Sequence, residues 1–443
     1  MRILLFPYTF ILVLLLGLFH CQAWAFDQQR PEGISNQNWA SLQVAVQEAK
    51  LLPADGVTNQ YFGWSVSLSG NRALIGAIFD DDNGTDSGAA YIFELIGGNW
   101  TETAKLLAND GDVEDRFGSS VSLSGDRALI GAHGVGTKPG SAYVFDLQGG
   151  SWSQTAKLMA SDGAANDYFG YSVSLSGDRA LVGAFRDNNG SNIGSVYVYD
   201  LQGGSWAETI KLIANDVTYY FGFSVSLSGD RALIGTYGNE DNGSNSGAAY
   251  VFDLQGGSWS QTDKLLASDG AAGDYFGWSV SLYGDRALIG AYGDDDKGSY
   301  SGSAYVFDLS GGTWAETAKL TAADGSANDY FGHTVSLFGA RALIGAYFDD
   351  AIGNDSGSAY LFELQGGGWI EADKLIASDG AFNNYFGFSV SLSSDRVLIG
   401  AYGDNDNGNS SGSAYVFKLL DDLIFRNGFE FVDLIFRDGF DGP

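Results

Sequence analysis

Residues 276–291 read Phe-Gly-Trp-Ser-Val-Ser-Leu-Tyr-Gly-Asp-Arg-Ala-Leu-Ile-Gly-Ala. Val280 and Leu282 alternate with Ser279 and Ser281, the period of a strand that buries one face. Tyr283-Gly284-Asp285 is a tight-turn signal, and the small residues of Ala287–Ala291 suit a closely packed second strand. Downstream, Ser303–Leu309 alternates again, with Tyr305 and Phe307 on one face. Ser310-Gly311-Gly312 supplies the positive φ of a hairpin, and Trp314–Leu320 forms a fourth strand. The stretch therefore predicts an antiparallel meander of strands A, B, C and D, with one long acidic loop, Tyr292–Ser301, between B and C.

The same unit recurs along the chain. Phe-Gly stands at Phe62, Phe117, Phe169, Phe221, Phe276, Phe331 and Phe386, spaced by 55, 52, 52, 55, 55 and 55 residues. About fourteen residues after each comes Gly-Ala, or Gly-Thr once, at Gly76, Gly131, Gly183, Gly235, Gly290, Gly345 and Gly400. Units of this length match propeller blades. The last unit ends near Leu419 without a D strand, while Val44–Leu52 aligns with the D strand that ends at Leu107. The expected fold is all-β: a seven-bladed β-propeller of four-stranded antiparallel blades over residues 42–419, closed by an N-terminal outer strand in the last blade.

These repeats resemble the FG-GAP repeats of integrin α-chain head domains and of bacterial secreted proteins, over about residues 42–419. The resemblance implies protein binding or cell adhesion rather than catalysis. It does not carry over the integrin calcium sites, which lie between strands A and B. Here that connection is Ser124-Gly125-Asp126, Ser176-Gly177-Asp178 or Ser228-Gly229-Asp230, too short to wrap an ion that takes roughly six to eight oxygens.

In a meander the A–B and C–D turns share one face, and the B–C and D–A loops share the other. The second face collects the acidic runs. With 54 acidic against 23 basic residues, the surface repels nucleic acid and attracts cations. Asp80, Asp81, Asp82, Asp294, Asp295, Asp296, Asp404 and Asp406 are candidate Ca2+ ligands. The competing reading is that Asp, Asn and Gly cap their own turns. Trp64, Tyr171 and Trp278 follow Phe-Gly, and Tyr292, Tyr347 and Tyr402 follow Gly-Ala. They could form a surface for a sugar or a cationic ligand, or simply pack between blades. The tryptophan after each glycine turn and the arginine opening each strand B read as structural.

Met1–Ala25 reads as a signal peptide ending in Ala23-Trp24-Ala25, followed by a lead-in over 26–41. Cleavage after Ala25 would remove Cys21, the only thiol, and leave a secreted, cell-surface or periplasmic chain without a membrane span. No Gly-x-Ser-x-Gly elbow, HExxH or P-loop occurs, and no catalytic residue is named. The tail 420–443 carries a tandem motif, Asp422–Glu430 and Asp433–Asp441. The expected function is recognition of a protein or glycan partner through the acidic long-loop face, assisted by Ca2+. The alternatives are a structural surface protein without a ligand, or an enzyme acting on polysaccharides.

Overall fold

Seven four-stranded antiparallel sheets follow one another along the chain. The computed structural model describes residues 44–189 and 192–420. The expected signal peptide, the lead-in and the tandem tail motif lie outside them. In the first blade, strands A to D are Phe62–Ser69, Arg72–Ala77, Ala89–Ile96 and Asn99–Leu106. The last blade contributes Ser389–Leu392, Arg396–Ala401 and Ser413–Leu419, and its outer strand is Ala45–Leu51, in register with Ala45 opposite Leu419 and Leu51 opposite Ala414. The ring thus closes as the sequence predicts. No helix of the described residues is long and apolar enough to cross a membrane.

The repeated glycines set the spacing between blades. A Cβ on Gly290 would stand 1.9 Å from the carbonyl oxygen of Gly332, the Phe-Gly glycine of the next blade. That glycine has φ +87°, and a Cβ on it would lie 2.2 Å from the Ser303 carbonyl. The two glycine motifs therefore explain each other: each gives the other's backbone room to pass.

The alternating serines of strand A complete the seam. Ser279 Oγ donates to Gly332 O at 2.9 Å, and Ser281 Oγ accepts from Leu337 N at 2.9 Å. The same two bonds recur at every junction, including the closing one, where Ser389 reaches Gly63 O and Ser391 receives Leu68 N. On the other side of the strand, Val280 and Leu282 enter a buried cluster with Phe276, Ile289, Tyr305 and Phe307, joined by Leu233, Ala249 and Val251 of the preceding blade. Each hydrophobic layer is shared by two blades, so no blade holds a core of its own.

The arginine of strand B clamps the tight-turn face. Arg72 Nε donates to Glu94 at 2.7 Å, and its Nη1 reaches Gly125 O and Asp126 in the next blade's A–B turn, both at 2.8 Å. The guanidinium lies 5.5 Å from the ring centre of Trp152, on that blade's outer strand. Arg127, Arg179 and Arg231 repeat the clamp over Trp206, Trp259 and Trp314. At the closing junction Glu48 accepts both Arg396 Nε and Trp100 Nε1, at 2.7 and 3.0 Å. The conserved geometry accounts for both recurring residues as structural.

Gly290→Ala is expected to destabilise the chain by about 2–4 kcal/mol, because the Gly332 backbone carbonyl would have to yield to the added methyl, and the Ser279 hydroxyl with it. Chemical denaturation would measure it. Gly284→Ala is the contrast: it has nothing within 4 Å, so its cost is confined to its positive φ, about 1 kcal/mol.

Candidate ligand face

Each D–A loop ends in the same tight turn. The residue before Phe-Gly is left-handed in every blade, with φ 57° at Tyr61, 56° at Tyr275 and 58° at Tyr330. A left-handed tyrosine is strained. It is held by the neighbouring B–C loop: Tyr275 N donates to Asn245 O and Phe276 N to Ser246 O, at 3.1 and 3.0 Å. The turn closes when Trp278 N returns to Tyr275 O at 3.1 Å. The B–C and D–A loops are thereby stitched together on one face, as the meander requires.

That turn aims the residue after Phe-Gly at the ring axis. Trp64, Phe388, His333, Trp278, Phe223 and Tyr171 form an arc with successive ring centres 4.7, 5.2, 5.8, 4.4 and 5.0 Å apart. A second tier follows Gly-Ala: Tyr402, Tyr347, Tyr292 and Tyr237 lie 4.6, 4.5, 4.7 and 4.8 Å from Phe388, His333, Trp278 and Phe223. The tyrosines before Phe-Gly add a third tier, Tyr275 stacking on Tyr292 at 5.0 Å and 7°. All six aromatic positions singled out from sequence belong to this collar. Trp64, Tyr171 and Trp278 also line an axial cavity of about 580 Å³ whose walls are the strand A serines and valines.

The acidic loops sit around lysines. The strand D Lys319 ammonium lies 2.7, 2.9 and 2.5 Å from Asp269, Asp294 and Asp296. Lys105 lies 2.7, 2.8 and 2.6 Å from Asp55, Asp80 and Asp82, and Lys50 lies 2.7, 3.0 and 2.7 Å from Asp379, Asp404 and Asp406. Among the described residues, these three trios are the acid groups whose geometry could hold a metal ion. In each, a strand C tyrosine donates to the buried acid, as Tyr305 does to Asp294 at 3.0 Å. Burial pushes the Asp269 carboxyl up, but the Lys319 and Tyr305 hydrogen bonds outweigh it and hold it below its ordinary value.

The sequence runs and the spatial trios differ. Asp80, Asp82, Asp294, Asp296, Asp404 and Asp406 take part. Asp81 and Asp295 instead cap their own loops, accepting from Asp86 N and Tyr300 N at 2.8 and 2.7 Å. Each trio is completed by one acid of a D–A loop, Asp55, Asp269 or Asp379. Sequence reading also missed the lysines, although one stands at the same place in every D strand.

A model of the FG-GAP repeat matches residues 45–93, 100–145, 152–199, 206–252, 259–307, 314–362 and 369–417. The chain belongs to the FG-GAP repeat family. Each FG-GAP match begins on the outer strand of one blade and ends on strand C of the next, so the family repeat is offset from the blade by one strand. The first FG-GAP match starts on the closing strand at Ala45. No curated protein matches the chain.

The residue before each collar tyrosine tests the electrostatics. In the first and last blades Gln60 and Asn384 donate to Asp80 and Asp404, at 2.5 and 3.1 Å. Asp329 holds that position in the sixth blade, and burial, with help from Asp349, pushes its carboxyl up to about 6. Ionising Asp329 therefore costs stability above that pH, and the cost fades as pH falls toward the unfolded value. Asp329→Asn is expected to stabilise the chain by about 1–2 kcal/mol at pH 7.5 and by nothing near pH 4. Urea melts at the two pH values would check it.

Proposed function

We propose that this FG-GAP chain is an extracytoplasmic binding propeller that recognises a protein or glycan partner through its long-loop face. The observation that carries the reading is the aromatic collar around an axial cavity on that face. Flat rings at the mouth of a concave site offer apolar area at low entropic cost. Seven stitched loop pairs hold them still, so a ligand meets a pre-formed surface. No catalytic residue is assigned. Export rests on the signal peptide read from sequence.

In this reading the lysines, rather than Ca2+, hold the acidic loops. The ammonium of Lys319 sits where a cation would sit in the Asp269–Asp294–Asp296 trio. It neutralises charge without an ion, so the face keeps its shape in calcium-poor surroundings. The unmodified chain is expected to melt at the same temperature in EDTA and in millimolar calcium. Lys319→Met is expected to lose about 2–4 kcal/mol by leaving the acids unpaired, and to recover part of it with calcium. A rise for the unmodified chain with calcium but not magnesium would return the acids to calcium binding.

The face itself is tested by screening the purified chain on glycan and protein arrays. A double variant, Trp278→Ala with Tyr292→Ala, is expected to weaken the retained partner about tenfold or more. Arg127→Gln on the tight-turn face is expected to leave it unchanged. No retained partner would favour a structural surface protein.

A further inference from the structure

The second blade breaks the collar. Where the other blades carry an aromatic after Phe-Gly, it has Ser119; where they carry tyrosine before Phe-Gly, it has Arg116; and after Gly-Ala it has His133. The first blade adds Ile78 beside them. All four residues line the axial cavity, and Trp64, Phe79 and Tyr171 flank the opening.

This opening is built but unsatisfied. Arg116 Nε and His133 Nδ1 are buried and have no hydrogen-bond partner among the described residues. His133 is only 7% exposed. Leaving such groups dry costs about 1–3 kcal/mol each. Among the described residues Arg116 forms no ion pair, although the chain carries more than twice as many acids as bases. Its guanidinium is held 5.2 Å from the ring centre of Phe79. The nearest acid along the chain, Asp115, is taken by Lys138 at 2.5 Å. Burial, and then Arg116, push His133 down to about 3, so it stands neutral and can donate or accept.

Building on the long-loop reading above, we infer that the gap between the first and third blades is a subsite for one carboxylate-bearing sugar, a terminal hexuronate. Arg116 would take the carboxylate, and the imidazole of His133 and Oγ of Ser119 would take hydroxyls. Trp64 and Tyr171 would face the apolar side of the pyranose ring. A single terminal charge suits the site better than a polyanion, because the surrounding acidic loops repel an extended chain of charges.

Titration calorimetry of the full chain would test this with a glucuronate-terminated disaccharide, its neutral glucose-terminated counterpart and a short peptide ending in aspartate. The acidic disaccharide is expected to bind. The neutral sugar is expected to bind about tenfold more weakly or worse, the loss of one charge-assisted hydrogen bond. Arg116→Tyr and Ser119→Phe restore side chains that other blades already hold at these places, so both should fold, and both are expected to lose the preference. Absence of binding at millimolar disaccharide, equal binding of the neutral sugar, tighter binding of the peptide, or full binding by Arg116→Tyr would each overturn the assignment. Absence of disaccharide binding by a chain that still holds an array partner lost on Trp278→Ala with Tyr292→Ala would overturn it while leaving the long-loop reading intact.

Discussion

The contact on which this molecule depends is the passage of one backbone past another where Gly290 meets Gly332, repeated at every junction. The two backbones approach until two serine hydroxyls of one strand A can bridge to the backbone of the next, Ser279 donating to Gly332 O and Ser281 accepting from Leu337 N. Each bridge contributes on the order of 1 kcal/mol. Their larger effect is geometric, because they fix the angle between neighbouring blades. The hydrophobic layers then fill the wedge that this angle leaves, and the aromatic collar forms because the same turn points seven side chains at the axis. A change at the seam would propagate outward to packing and inward to the ligand face.

The two faces use charge differently. On the tight-turn face, Arg72, Arg127, Arg179 and Arg231 each join a strand C acid, a turn acid of the next blade and a tryptophan, so charge serves to lock blades together. On the long-loop face, every strand D lysine except Lys157 gathers acids from two loops, so charge serves to hold loop shape. Neither network gathers at the axis. The collar is therefore an apolar centre within a strongly acidic rim, with Arg116 and Arg186 as cations against its rings.

The fold was legible because it is written seven times. Phe-Gly, Gly-Ala and the glycine hairpins marked the strands, and the unpaired Val44–Leu52 showed how the ring closes. The reading of Arg72 and its counterparts as structural was also within reach, since strict repetition argues against a single ligand. The acid trios were not legible. A run such as Asp294-Asp295-Asp296 looks like one cluster, yet neighbouring side chains diverge, and Asp295 turns back to cap Tyr300. The partner that completes the trio, Asp269, lies on the preceding loop. Ser119, Arg116 and His133 could each be noticed as departures from the repeat. Their convergence needed the ring, because nothing in their spacing says that they share a cavity.

The closing blade has a mechanical consequence. Ala45 lies opposite Leu419, and Leu420 N donates to Val44 O at 2.8 Å, so the two ends of the ring meet side by side at one end of this strand pair. Tension between those two ends would load the hydrogen bonds of this pair one after another, as a zipper opens, rather than all together. A ring held shut at every seam would thus yield first at a single sheet, at low force. In its packing the fold is a closed circle, but pulled between its two ends it is a clasp.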